Sequence, residues 1–238
     1  MASRTTPVQL FLAAALAAQL WVSAQHPRPD ASAQALPPAP AQELLRVAAL
    51  GEPIALGQIL TLWLQAFDNQ PGISIPFLAL DYDRVESWLD RLLSLDPGTQ
   101  YPLLMAAHFY GQVPDLAKER QMLAFIHRRF LEDPAHRWRW LAHAVVMAKH
   151  RLKDLPLALR YAETLAAHAS HASIPNWARQ MRIFLLEDLG EIQAAKILLG
   201  GLLASGQITD EHEKHLLVER LSAMENGEKS STPPNSRP

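Results

Sequence analysis

The chain has 238 residues, a net charge of −2 and no cysteine; Leu and Ala fill 75 positions, whereas Val, Ile and Thr together fill 25. Leu and Ala favour helices and β-branched residues favour strands, so the composition excludes an all-β fold and points to an all-α one. The missing cysteine excludes disulfides, thiol catalysis, cysteine-bound zinc or iron–sulfur clusters and a lipidated N-terminal cysteine, and the near-neutral charge excludes attraction of the whole molecule to nucleic acid.

Residues 1–24 carry one charge, Arg4, followed from Val8 to Ala24 by the apolar run VQLFLAAALAAQLWVSA. Its 17 residues are at the short end of what spans a bilayer as a helix. Val22-Ser23-Ala24 puts tolerated residues at the −3 and −1 positions of a signal-peptidase site. The segment reads as a signal peptide or as an uncleaved anchor, with a plain N-terminal core helix as the remaining reading. The expected location is the periplasm, either soluble after cleavage or anchored in the inner membrane by residues 8–24. Residues 25–41, QHPRPDASAQALPPAPA, read as an extended Pro/Ala-rich linker with no core of its own.

Residues 42–225 form the expected helical domain. Proline punctuation and 3.6-residue periodicity predict helices over 42–50, 54–68, 83–95, 100–111, 114–131, 135–150, 155–169, 175–189, 191–204 and 210–224. Links of a few residues make antiparallel helical hairpins. The clearest stripe is Val85, Trp88, Leu89 and Leu92, with Asp83 and Glu86 as a capping box at its start. Further stripes are Leu116, Leu123, Ile126 and Phe130, then Leu155, Leu159, Ala162 and Ala166 behind Asp154 as N-cap. The segment 191–204 is apolar nearly all round and is expected to be central; the last helix keeps Leu217, Leu221 and Met224 on one side, as an end cap would. The apolar loop Asn69–Tyr82 is expected to pack over the first helices, with a partner contact through Ile73, Ile75 and Phe77 as the alternative. Residues 226–238 are too polar and Pro-rich to fold.

Helix ends recur at Leu95-Asp96-Pro97 and at Glu132-Asp133-Pro134, 37 residues apart, and the stretch from His150 to Ala162 is echoed by the stretch from Glu187. Gly190 at a turn, and Ala158 and Ala195 at the small position of a second helix, resemble tetratricopeptide repeats, whose period is about 34 residues. The resemblance covers residues 83–205 and implies an α-solenoid of antiparallel hairpins behind an N-terminal hydrophobic helix; it implies no substrate.

Sites of chemistry are sparse. His212-Glu213-Lys214-His215 has the wrong spacing for a zinc-protease helix, and neither His168/His171 nor His143/His150 has a carboxylate at ligand spacing, so no metal is expected. No Gly-x-Ser-x-Gly, phosphate loop or dinucleotide fingerprint is present, and the acidic pairs Asp81/Asp83 and Glu132/Asp133 fall where helix caps belong. No catalytic residue, cofactor or small-molecule substrate follows. The uneven charge is from Lys118 to Arg160, ten cations against four anions. Arg128, Arg129, Arg139, His143 and His150 are therefore the candidate partner-binding residues, for an acidic segment of another protein or for anionic headgroups, with a solvated helix face carrying capping charge as the alternative. The expected function is a non-enzymatic interaction scaffold, exported or membrane-tethered in a bacterial envelope; a cell-wall-active enzyme on the same body is the alternative.

Overall fold

The computed structural model describes residues 6–25, 32–168, 173–206, 208 and 210–231. It is 77% helix, with eleven α-helices among the described residues. Helix α1 is Thr6–Gln25, and every side chain described in it is exposed. Two short helices follow, α2 (Gln42–Ala48) and α3 (Pro53–Gln65). Next come α4 (Tyr82–Leu95) and α5 (Tyr101–Leu104), the latter running into a π-helical turn, Met105–Phe109. The remainder is α6 (Leu116–Glu132), α7 (Pro134–His150), α8 (Leu155–Ala167), α9 (Asn176–Asp188), α10 (Ile192–Ala204) and α11 (Glu211–Ser231).

The helix starts follow from local chemistry. Asp81, Asp115, Asp133, Asp154 and Asp210 each accept hydrogen bonds from backbone N–H groups in the first turn that follows. Those donors have no intrahelical partner, and a short carboxylate placed before the turn satisfies them. At α4 the cap is Asp81 rather than the expected Asp83, because the helix begins one residue earlier. Pro53, Pro102, Pro134 and Pro156 sit at the first or second helical position, where the missing N–H costs nothing.

From α4 onward the helices pack in sequence order, and the packing recurs. Helices α4, α6, α8 and α10 begin at residues 82, 116, 155 and 192, a spacing of 34–39 residues. Each helix touches the next, most extensively α7 with α8. Side chains also link alternate helices. Gln121 on α6 bonds Asp83 on α4, and His127 on α6 meets Thr164 on α8. On the other side, Trp138 on α7 packs edge-on to Trp177 on α9, and Arg220 on α11 pairs with Glu187 on α9. The molecule is compatible with a helical repeat. At the echoed turns the backbones match: Lys153 and Gly190, 37 residues apart, both take positive φ, at 53° and 81°. Ala158 and Ala195, five residues after each turn, are fully buried where consecutive helices close on each other.

One large core runs from Leu36 to Leu185, and a small one joins Ile183, Ala195, Leu199, Ile208, Leu217 and Met224. Val85, Trp88, Leu89 and Leu92 are buried as their stripe predicts, as are Leu123, Ile126 and Phe130; Leu116 is exposed, in the first turn of α6. Helix α10 is not central. Only Ala195 and Leu199 are buried, and Ile197 is 73% exposed, because only α9 and α11 pack against it to any extent. The apolar loop packs. Asn69–Gln70 pairs with Ile73–Ser74, Ile75 and Leu80 enter the core, and the Phe77 ring lies 5.4 Å from that of Tyr110.

The described half of the Pro/Ala-rich stretch, 32–41, is fastened rather than bare. Leu36 is buried, and α4 donates to three of its carbonyls: Arg84 to Leu36, Trp88 Nε1 to Pro37 at 2.9 Å and Arg91 Nε to Pro40 at 2.9 Å. A proline-rich backbone builds no hydrogen-bonded ladder of its own, so this segment is an acceptor strip, read by donors on one helix face.

Candidate functional site

The five cations and histidines expected to form one basic face are divided between two helices. Arg128 and Arg129 end α6 and turn toward α4. Arg128 pairs with Glu86, and Arg129 lies 2.6 Å from both Asp90 and Glu132. Burial raises the Asp90 carboxyl above its ordinary range, with Arg129 opposing that shift. These two arginines tie α6 to α4.

The other three lie along α7. Arg139 is exposed and stacks over the Trp138 ring at 5.4 Å, and His150 is exposed at the helix end. His143 is half-buried, its ring 4.5 Å from that of His108 on the π-helical turn. Burial, then the neighbouring His108, lowers its pKa. The structure therefore brings His143 to His108 and leaves Arg139 and His150 on separate stretches of surface.

Most of the local excess of ten cations over four anions is neutralised by acids of neighbouring elements or by backbone carbonyls. Arg120 meets Asp154 at 2.6 Å, Lys149 meets Asp188 at 2.5 Å, and Arg137 bonds Glu132 and the Arg129 carbonyl. Arg151 bonds the buried Glu119 at 2.9 Å and the carbonyls of Gln112 and Val113. Of the ten, Lys118, Arg139, Lys153 and Arg160 have no ion-pair partner among the described residues, and Lys118 bonds the Leu78 and Leu80 carbonyls instead.

Arg160 stands at a groove of about 550 Å³ between α6 and α8. Helix α6 supplies Arg120, Ala124 and His127; helix α8 supplies Leu157, Arg160 and Tyr161, with Glu163 and Thr164 beyond them. The His127 and Tyr161 rings stack at 5.0 Å, and His127 Nε2 lies 3.2 Å from Thr164 Oγ1. Burial lowers the His127 pKa most, and Arg128, Arg160 and His168 each lower it further. All three neighbours push the same way, and among the described residues Glu163 is the one carboxylate that lines the groove. Burial likewise raises the Tyr161 phenol above its usual range. The groove presents a stacking floor, a cation without an ion pair and a weakly basic imidazole, a set that suits an anionic group beside an apolar one.

Sequence reading singled out Arg128, one residue from His127, but not Arg120, His127, Arg160 or Tyr161. The signal available was the repeat itself: His127 and Thr164 are 37 residues apart, the spacing of the echoed helix ends. No group of three or more His, Asp or Glu able to hold a metal is present among the described residues. His168 bonds the Thr164 carbonyl at the end of α8, His215 faces Glu219 on the surface, and His171 lies outside the described residues. Comparison of the chain with protein-family models, curated proteins and solved structures gives no match.

Proposed function

We propose that this chain is a non-enzymatic, tetratricopeptide-like α-solenoid scaffold of a bacterial envelope that holds an acidic segment of another protein in the groove between α6 and α8. The observation that carries the reading is the groove itself, where Arg160, without an ion pair among the described residues, stands beside the stacked rings of His127 and Tyr161. An extended peptide laid along the groove would offer carboxylates to Arg160 and Arg120 and an apolar side chain to the stacked pair of His127 and Tyr161. Stacked helical hairpins commonly use such grooves for extended segments. Helix α1 supports export or tethering: Val8–Gln25 is apolar and long enough to cross a membrane, with none of it buried.

The test is fluorescence polarisation with the full chain and ten-residue peptides alternating Glu with Leu or Phe. The acidic peptide is expected to bind with micromolar affinity, about −8 kcal/mol, and its lysine counterpart at least tenfold more weakly. Arg160→Glu should cost tenfold or more, and binding should weaken as salt screens the charges. Equal binding of acidic and basic peptides, or an unchanged affinity in Arg160→Glu, contradicts the reading.

A further inference from the structure

Helices α2 and α3 combine a sharp bend with a nearly uncharged sequence. They meet at a bend of 110°, and from Val47 to Phe67 the only charged side chain is Glu52. Helix α3 is apolar on two sides. Gly57, Leu60 and Leu64 face inward, with Gly57 and Leu64 buried. On the opposite side Ile59 and Leu62 are 63% and 65% exposed. Leu44, Val47, Leu50 and Ile54, in α2, the bend and the start of α3, are likewise each more than half exposed. Trp63 is not one of them, because its ring packs on Trp88 and Phe67. Single exposed apolar residues need no explanation, but a helix that is apolar all round is stable only where both sides meet apolar material.

The chain itself indicates what covers the outer side. Helix α1 ends at Gln25, and the strap along α4 is in place from Gln34, whose backbone exchanges hydrogen bonds with the Gln70 side chain. Seven peptide units separate Gln25 from Ser32, a reach of at most about 25 Å. The strap stays bonded to α4 as far as Pro40, and α2 starts at Gln42. A membrane-inserted α1 would thus keep Ser32 within about 25 Å of the bilayer surface, with α2 and α3 following the strap.

We infer that the outer face of α2 and α3 rests on the lipid bilayer, with Ile59, Leu62 and Leu50 in the boundary between headgroups and acyl chains. Such a contact matches how apolar helix faces lie in the interface plane. Two weak attachments together hold a domain far better than either alone, and they also fix the orientation of the α6–α8 groove relative to the membrane. The inference rests on α1 being an uncleaved anchor.

Because the chain has no cysteine, single cysteines can report each site. The full chain would be reconstituted into phosphatidylethanolamine–phosphatidylglycerol vesicles carrying an environment-sensitive fluorophore at Leu16→Cys, Ile59→Cys, Leu62→Cys or Glu163→Cys. Spin-labelled lipids are expected to quench the labels at positions 16, 59 and 62 by severalfold more than the label at 163. Quenching at 16 without quenching at 59 and 62 overturns the inference and leaves the anchor standing; no quenching at 16 overturns both. A blue-shifted, unquenched label at 59 whose shift fades on dilution assigns the face to a second copy and overturns the inference. Circular dichroism confirms that each labelled variant keeps its helix content.

Discussion

Helices α8 and α10 are the same length, thirteen residues, and begin 37 residues apart, each two positions after a residue with positive φ. By composition α10 is the more apolar, yet α8 is the better buried. On α8 Leu157, Ala158, Tyr161, Ala162 and Leu165 are buried; on α10 only Ala195 and Leu199 are, and these occupy the places of Ala158 and Ala162. The shared pair is the seam that any helix of the array closes against its neighbours. The other three positions of α8 are covered because it lies between α7 and α9 and also meets α6. Hydrophobicity says that a helix can be buried, and the number of neighbours decides whether it is.

The largest expected effect breaks this comparison at equivalent leucines. Leu165→Ala, in the fully buried position on α8, should cost about 2–5 kcal/mol by cavity formation, whereas Leu202→Ala, its half-buried counterpart on α10, should cost less than half as much. Denaturant titration checks this, and equal losses would mean that α10 is as enclosed as α8.

The helix starts differ next. Asp154 caps α8 by accepting from the Leu157 N–H, whereas Glu191 in the same place before α10 makes no side-chain cap bond. Asp154→Ala should cost about 1 kcal/mol and Glu191→Ala close to nothing. The Leu157 N–H bond, then Arg120, holds the Asp154 carboxyl below its ordinary range. A depressed carboxyl stabilises the fold above its unfolded pKa of about 3.9 and loses that contribution as pH falls through the folded value. The penalty of Asp154→Ala should therefore be full at neutral pH and vanish in acid. A penalty that grows in acid contradicts the assignment.

The smallest effect concerns the turns. Lys153 holds φ 53° where Gly190 holds 81°. A side chain in that region costs about 1 kcal/mol, so Lys153→Gly should stabilise and Gly190→Ala should destabilise by similar amounts. Thermal melts of the two variants should move in opposite directions, and a shift of the same sign in both would remove the equivalence of the turns.

Much of this fold is legible in the chain. Helix positions follow from proline and aspartate punctuation because those residues act through local geometry that tertiary contacts do not override. The stripe at Val85, Trp88, Leu89 and Leu92 is readable because one side of α4 is apolar and the other charged. The loss of centrality at α10 is not, since neighbours are absent from a one-dimensional pattern. The candidate site is less legible still. Counting cations from Lys118 to Arg160 locates the region, but Glu86, Asp90 and Asp188, which neutralise three of them, lie outside that stretch. Arg160, one of the four cations of the stretch without an ion pair among the described residues, is identified only once those pairings are known.

The proposed stacking of consecutive helical hairpins, at a spacing near 37 residues, requires α6 to lie beside α8 across the groove. Cysteine crosslinking in this naturally cysteine-free chain tests it most directly. The double variant His127→Cys with Thr164→Cys puts thiols at positions whose native side chains meet, His127 Nε2 lying 3.2 Å from Thr164 Oγ1, and should be joined efficiently by a short bis-maleimide. His127→Cys with Gln193→Cys, which moves the second cysteine from α8 to α10, should not. Efficient crosslinking of the second pair, or none of the first in a chain that retains its helix content, would contradict the stacking.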